Sequence, residues 1–348
     1  MDVYERINIS YPMPRFKEHV LWEVTLKVVF YSLIVIFSLI GNLLIIIIVM
    51  RQKRMRTVTN FYIVNLAVAD LLVTVCCSWV HLVDDLTEGW VLGAFFCKVN
   101  SFAQVVSLVA SVFTLSLIAF DRFYGIVFAL KAHMMERKAK GSLFCVWSCA
   151  IAVGCPILIS RNLHVRVWLD HVERWCDDGW PIHSNTADPT SRRIYYTFVA
   201  IVLYVFPMLV MTFTYTIILW KLNSTAMPGE TIEREVILQA RMKRKVVIML
   251  VSILFVFGIC WLPYLISLLY SEYKSSDELS PWFYDLKFCA QYLADSNAAL
   301  NPVIYVGFNE NFRNGLRDTM RCMQKRNPEE IMMRRNNSAY QSTSVTNL

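Results

Sequence analysis

Apolar residues along this chain fall into seven long blocks separated by polar connections. The blocks run Val24–Met50, Val58–Val83, Phe95–Phe128, Gly141–Ile159, Ile194–Leu222, Val236–Tyr270 and Trp282–Val306. About 20 mostly apolar residues, rising ~1.5 Å each, cross a hydrocarbon core as a helix. Every block is near or above that length, and the third and sixth are long enough to project beyond the bilayer. Unpaired backbone groups are too costly in lipid, so helix is the predicted state throughout. A shorter pattern comes next, with Phe308, Phe312, Leu316 and Met320 at helical spacing and Arg313, Arg317 and Arg321 on another face. It predicts an amphipathic helix over Asn309–Met323, lying along a membrane interface. The fold class is therefore an all-α membrane protein, a seven-transmembrane helix bundle with a short amphipathic eighth helix. The expected organisation is a tail (1–23), one bundle (24–306), the eighth helix (307–323) and a disordered Ser/Thr/Asn-rich tail (324–348). No internal repeat interrupts it.

Composition agrees with the pattern: 56% of the 348 residues are apolar and only 18% charged, more apolar than an ordinary soluble domain. Charge placement adds an orientation. The connections on the C-terminal side of the membrane hold 21 Lys and Arg and those on the N-terminal side 10. The positive-inside rule then puts the C-terminus in the cytoplasm and the N-terminus outside. The net charge of +7 is a cytoplasmic excess facing anionic lipid and implies no nucleic-acid binding. The first residues carry no basic stretch before an apolar run, so no cleavable signal peptide is expected. Asn8-Ile9-Ser10 is a glycosylation sequon on the outer side, whereas those at Asn223 and Asn336 fall inside. Of ten cysteines only Cys97 and Cys176 lie clearly in oxidising space, which predicts one disulfide between them. Cys322, near the end of the amphipathic helix, is a candidate for palmitoylation.

Polar residues inside the spans are expensive and mark function. They include Asn42, Asn65, Asp70, Ser111, Asp121, Arg122 and Asp295. Proline breaks three helices, at Pro207, Pro263 and Pro302. Several of these residues sit in recognisable runs: Gly41-Asn42, Leu66-Ala67-Val68-Ala69-Asp70, Asp121-Arg122-Phe123, Trp147, Pro207 with Tyr215, Cys260-Trp261-Leu262-Pro263, and Asn301-Pro302-Val303-Ile304-Tyr305. Taken together the chain resembles the class A (rhodopsin-like) G-protein-coupled receptors over nearly its whole length.

The resemblance implies roles residue by residue. Asp70, Ser111, Asn297 and Asn301 would converge in mid-bundle around an allosteric sodium ion and water; the alternative is a hydrogen-bonded knot that only specifies packing. No other cofactor is implied. Asp121, Arg122, Trp261, Pro263, Tyr215, Asn301, Pro302 and Tyr305 would form the activation switch, acting on a heterotrimeric G protein, with arrestin a further partner and membrane lipid the surroundings. Phe123 departs from the tyrosine of many relatives. No enzymatic activity is expected, since the six histidines are scattered and no catalytic constellation is present.

The ligand is narrowed by two absences. Gln104 stands where amine receptors of the family carry an aspartate, and Asp295 where opsins carry their lysine. Acids (Asp84, Asp85, Glu88, Asp177, Asp178, Glu272) and aromatics (Trp90, Trp168, Trp175, Trp180, Tyr273) crowd the outer connections, which suits a basic peptide. The runs Leu82–Trp90, Cys176–Pro181 and Gly307–Arg313 look like the orexin and neuropeptide FF branch, whose ligands include peptides ending in Arg-Phe-amide. That likeness places Gln104 against the amidated end and Glu272 against a ligand arginine, with Asp84, Asp85, Asp177, Asp178 and Gln291 as further ligand contacts. Asp295 departs from the branch; it is either a second buried carboxylate near Asp70 or hydrogen-bonded and silent. The function expected is a plasma-membrane neuropeptide receptor; the alternative is a class A receptor for a lipid or other small molecule.

Overall fold

The computed structural model describes residues 3–11, 20–87, 89–128, 136–178, 190–224, 234–274 and 279–324. Seven long helices form the bundle: α1 (Leu21–Arg51), α2 (Val58–Leu86), α3 (Gly93–Val127), α4 (Glu136–Ser160), α5 (Thr190–Asn223), α6 (Arg234–Tyr273) and α7 (Pro281–Phe308). All seven predicted blocks are present, each extended by at most a few residues. Six are long and apolar enough to span a membrane. The seventh, α7, has the length but carries Asp295, Asn297 and Asn301 turned into the bundle, all buried. Polarity on one face lowers its mean hydropathy without shortening it.

A final helix, α8 (Glu310–Gln324), follows α7 directly. Phe312 and Gly315 are buried and Leu316 is half-buried, while Arg313 and Arg317 are exposed, so the helix is amphipathic. Gly315 lets it pack against α1, because a β-carbon there would lie 2.5 Å from Ile48 Cγ2. Gly41 serves the α1–α7 contact in the same way, with a β-carbon reaching 2.6 Å from Pro302. The side chain of Cys322 and the tail from residue 325 lie outside the described residues, as do Glu88, Gly179-Trp180-Pro181 and Asn336.

Two helices contain π turns: Thr74–Ser78 in α2 and Ile201–Val205 in α5. The second directly precedes Pro207, which accounts for it. The first has no proline. One extra residue in a turn rotates the rest of the helix by about 100°, and the segment beyond it presents His81 and Asp84 to the interior cavity.

The structure adds a sheet that the apolar pattern does not predict. Strands β1 (Val3–Arg6), β2 (Arg161–Val167) and β3 (Val172–Asp178) lie in that order, with β1 parallel to β2 and β2 antiparallel to β3. Leu163 pairs with Cys176 and Arg161 with Asp178. Cys176 is disulfide-bonded to Cys97 in the second turn of α3, as expected from the sequence. The hairpin is thereby held across one end of the bundle. The N-terminal segment seals its far edge, with Ile7 N donating to Val167 O (2.9 Å) and Tyr11 packed against Trp168.

Candidate functional site

Beneath the hairpin the helices diverge around a cavity of about 720 Å³. Trp261 and Tyr264 of α6 and Gln104 of α3 line its deep part, and the hairpin lines its mouth. Of the predicted ligand contacts, Gln104, Gln291, Asp84, Asp177, Asp178 and Glu272 all border it. Asp85 does not; its carboxylate accepts from Lys27 of α1 at 2.7 Å. Gln104 and Gln291 each bury an amide nitrogen with no acceptor among the described residues. Buried donors of this kind are rarely left unmatched, so the deep part offers hydrogen bonds to an incoming group.

The acidic mouth expected from the sequence is not what the fold builds. Arg161, Arg174, Arg192, Arg193, Lys274 and Lys287 line the same space as the acids. Glu272 receives Arg192 Nε at 2.5 Å and Nη2 at 2.9 Å; Arg192 Nη1 also reaches Asp177 at 3.2 Å. Asp178 takes Arg161 Nη1 at 3.1 Å and the Tyr196 hydroxyl. Burial works against the charge of Arg161, but Asp178 across the hairpin, Tyr196 and Asp177 together hold the guanidinium pKa above its ordinary value. Bases distant in sequence, Arg161 of β2 and Arg192 at the start of α5, fold onto the acids. Asp84 remains, lining the cavity with no ion pair among the described residues.

His81 was not singled out from the sequence. It lines the cavity, and its Nδ1 lies 2.9 Å from Asp295 Oδ2. Asp295 is thus a buried group hydrogen-bonded to α2, the second of the two readings the sequence allowed. A histidine in an otherwise apolar stretch was the available signal.

Deeper in the bundle lies a column of polar side chains. Asn301 Nδ2 donates to Asp70 Oδ2 at 2.9 Å. Asn42 Nδ2 donates to the Ala298 carbonyl at 2.9 Å. Trp147 Nε1 donates to Asn65 Oδ1 at 2.7 Å, and Asn65 Nδ2 to Thr114 at 2.8 Å. Ser111 is buried in α3. The side-chain oxygens of Asn297 and Asn301 have no donor among the described residues. Carboxylate and amide oxygens are the ligand type that hard cations take. Among the described residues no three His, Cys, Asp or Glu side chains cluster as a metal site.

Towards the α8 end, Asp121 Oδ2 accepts from Arg122 Nη2 at 2.7 Å and from Thr59 Oγ1 at 3.1 Å, and Arg122 also contacts Thr59. Tyr215 and Tyr305 are buried, but neither hydrogen-bonds to Arg122 among the described residues. The Tyr305 ring stacks on Phe312 of α8 with centroids 5.9 Å apart. Trp261 lies between the cavity and the column, with its ring near Phe257 and Tyr264 at 6.0 and 6.1 Å.

Seven membrane-length helices, a disulfide-tethered hairpin over an interior cavity, and a polar column below it define a seven-helix membrane receptor. Comparison with known proteins agrees. Residues 41–305 match the family model described as 7 transmembrane receptor (rhodopsin family). The chain is 35% identical to neuropeptide FF receptor 2 of Mus musculus, covering 94% of this chain and 80% of that one. It is 33% identical to the Rattus norvegicus neuropeptide FF receptor 2 over the same shares. The substance-P receptor of Mus musculus is 31% identical over 86% of this chain and 72% of its own. The chain belongs to the rhodopsin family of seven-transmembrane receptors. It is a multi-pass membrane receptor, not an enzyme.

Proposed function

We propose that this receptor binds an extracellular neuropeptide, basic and C-terminally amidated, at the cell surface and activates a heterotrimeric G protein. One observation carries the reading: the cavity of about 720 Å³ combines two unmatched carboxamides, Gln104 and Gln291, with Asp84, an acid free of ion pairs among the described residues. A terminal amide is both donor and acceptor, as a glutamine is, and Asp84 is the acid left for a ligand cation. Two relatives are named for neuropeptide FF and for substance P, both of them receptors, which supports a peptide. A lipid would place its chain against a continuous apolar wall, whereas here charged side chains from β2, β3, α5, α6 and α7 share the lining with apolar ones such as Val105, Leu108 and Leu265.

The N-terminus faces outward in this reading, on the Lys and Arg asymmetry, and Asn8 is exposed and open to glycosylation. Asp70, Ser111, Asn297 and Asn301 would hold sodium, supplying a positive charge beside the buried carboxylate. Arrestin and surrounding lipid are the further partners, with Cys322 the lipidation site.

The test is second-messenger output, calcium release and cAMP suppression, in cells challenged with a panel of amidated peptides. A basic amidated peptide is expected to signal, and Gln104→Ala and Asp84→Asn to weaken it each by about tenfold or more. Silence to every peptide at verified surface expression would overturn the ligand class. Full response from both variants would overturn the assignment of the cavity.

A further inference from the structure

Arg192 sits in the first turn of α5 and holds both oxygens of Glu272, in the last turn of α6, while its third nitrogen reaches Asp177 of β3. All three residues line the cavity. Glu272 is only 8% exposed, so its carboxylate depends on this cation rather than on water. A planar guanidinium matched in two-pronged fashion to a carboxylate is the arrangement by which proteins also recognise arginine on a partner.

We propose that Glu272 and Asp177 form a guanidinium subsite, that Arg192 is its intramolecular occupant, and that a ligand arginine enters by displacing it. The inference rests on the peptide reading above. It changes the role of Glu272 from a waiting acid to one side of an exchange. Charge balance favours this: one guanidinium leaves and another arrives, so the acids are never left bare. Accessibility favours it too. The Arg192 side chain is 28% exposed and that of Asp177 48%, so the displaced guanidinium passes directly into water. The neighbouring Arg161–Asp178 pair differs: the Asp178 side chain is 2% exposed and is gripped by Tyr196 as well. That pair is a fixed strut of the hairpin, whereas Arg192 is a replaceable occupant.

Exchange has two consequences. Apparent affinity is reduced by the fraction of molecules in which Arg192 holds the acids. The tie that Arg192 makes between α5 and α6 is also cut when ligand binds, leaving at that end the Arg193 Nε bond to the Glu272 carbonyl, at 2.8 Å, and the Thr197–Tyr273 hydroxyl contact, at 2.9 Å.

Two measurements test it. The first uses purified receptor and needs no peptide. Arg192→Ala is expected to lower the apparent Tm by a few degrees. Millimolar ethylguanidinium should restore the loss, and ethylammonium should not. Neither wild type nor Arg192→Ala/Glu272→Gln should respond. The second compares dose–response curves in cells for a peptide ending in Arg-Phe-amide. Arg192→Ala should respond at about tenfold lower peptide concentration, Arg192→Lys, which keeps charge but loses the fork, should fall between, and Arg192→Ala/Glu272→Gln should lose the gain. Failure of ethylguanidinium to restore stability, or a response in Arg192→Ala that is unchanged or weaker, would overturn the exchange. Should ethylguanidinium restore Tm while the peptide is silent on every variant, the subsite stands and the peptide reading falls.

Discussion

Asp295 is 1% exposed, with His81 Nδ1 of α2 2.9 Å from its Oδ2 and Tyr31 of α1 as a further neighbour. His81→Ala therefore removes the closest partner of a buried carboxyl group. Removing one member of a buried charged pair costs about 3–5 kcal/mol, and a hydrogen bond to a charged group about 1.5–3 kcal/mol. The His81 side chain borders the cavity and is 12% exposed, so some solvent reaches the site and the loss should sit near 2–3 kcal/mol. At about 2 °C per kcal/mol, the lower end for long chains, the apparent Tm should fall by roughly 4–6 °C. The double variant His81→Ala/Asp295→Asn removes the charge that needs a partner and should recover about half of that. The assay is thermal unfolding of purified receptor across the full cycle of wild type, both single variants and the double. An unchanged Tm in His81→Ala, or a double variant equal to the sum of its singles, would refute the reasoning, because additivity means the two groups do not interact.

Asp121→Asn removes the charge that holds Arg122 at 2.7 Å. Arg122 is partly exposed, so about 1 kcal/mol is lost from this arrangement, and ligand-independent second-messenger output, normalised to surface expression, should rise about fivefold. Sodium, compared with choline at equal ionic strength, should raise the Tm of purified wild type but not of Asp70→Asn or Asn297→Ala. At the α8 end, Lys245 donates to Glu310 at 2.9 Å and holds its carboxyl below the ordinary glutamate range. A depressed acid stabilises above its unfolded pKa and loses that contribution as pH falls through the folded value. At neutral pH the bond is therefore fully formed, but both groups are exposed. Lys245→Ala should then leave the neutral-pH Tm within error of wild type.

The helices were legible because lipid imposes a length and an apolar composition that few soluble segments share. The seventh was legible the same way, as the block Trp282–Val306, although Asp295, Asn297 and Asn301 dilute the apolar signal that marks the other six. The disulfide followed from compartment alone. The sheet was not legible: β1 is four residues long and pairs with a strand more than 150 positions away, so its stability lies in tertiary contact and not in local pattern. Charge pairing was hidden for the same reason. Counting acids near the mouth could not show that Arg192 lies on Glu272, 80 residues apart, or that Lys27 takes Asp85. Position along the chain reports which face a residue occupies but not which opposite charge folds onto it. The π turn at Thr74–Ser78 has no proline to announce it, and the facing of His81 and Asp84 depends on it.

Buried polar atoms lacking a partner among the described residues line up between the cavity and α8: Trp261 Nε1, the side-chain oxygens of Asn297 and Asn301, and the Tyr305 hydroxyl. Each such group is a liability of about 1–3 kcal/mol where it stands. A bundle that keeps several of them on two adjoining helices holds a reserve for a second packing in which they are satisfied. Tyr305 separates the two arrangements, because its ring is packed here on Phe312 while its hydroxyl, fully buried, bonds to nothing described. Tyr305→Phe keeps the stacked ring and deletes the liability. Its Tm should equal or slightly exceed that of wild type. If the hydroxyl finds its partner only in the signalling arrangement, the same change removes about 1 kcal/mol there, and agonist potency should fall about fivefold. Thermal unfolding and dose–response curves on one variant decide the matter. A lower Tm with unchanged potency would mean that the hydroxyl belongs to the packing described here and that the column is a structural core, with no part in switching.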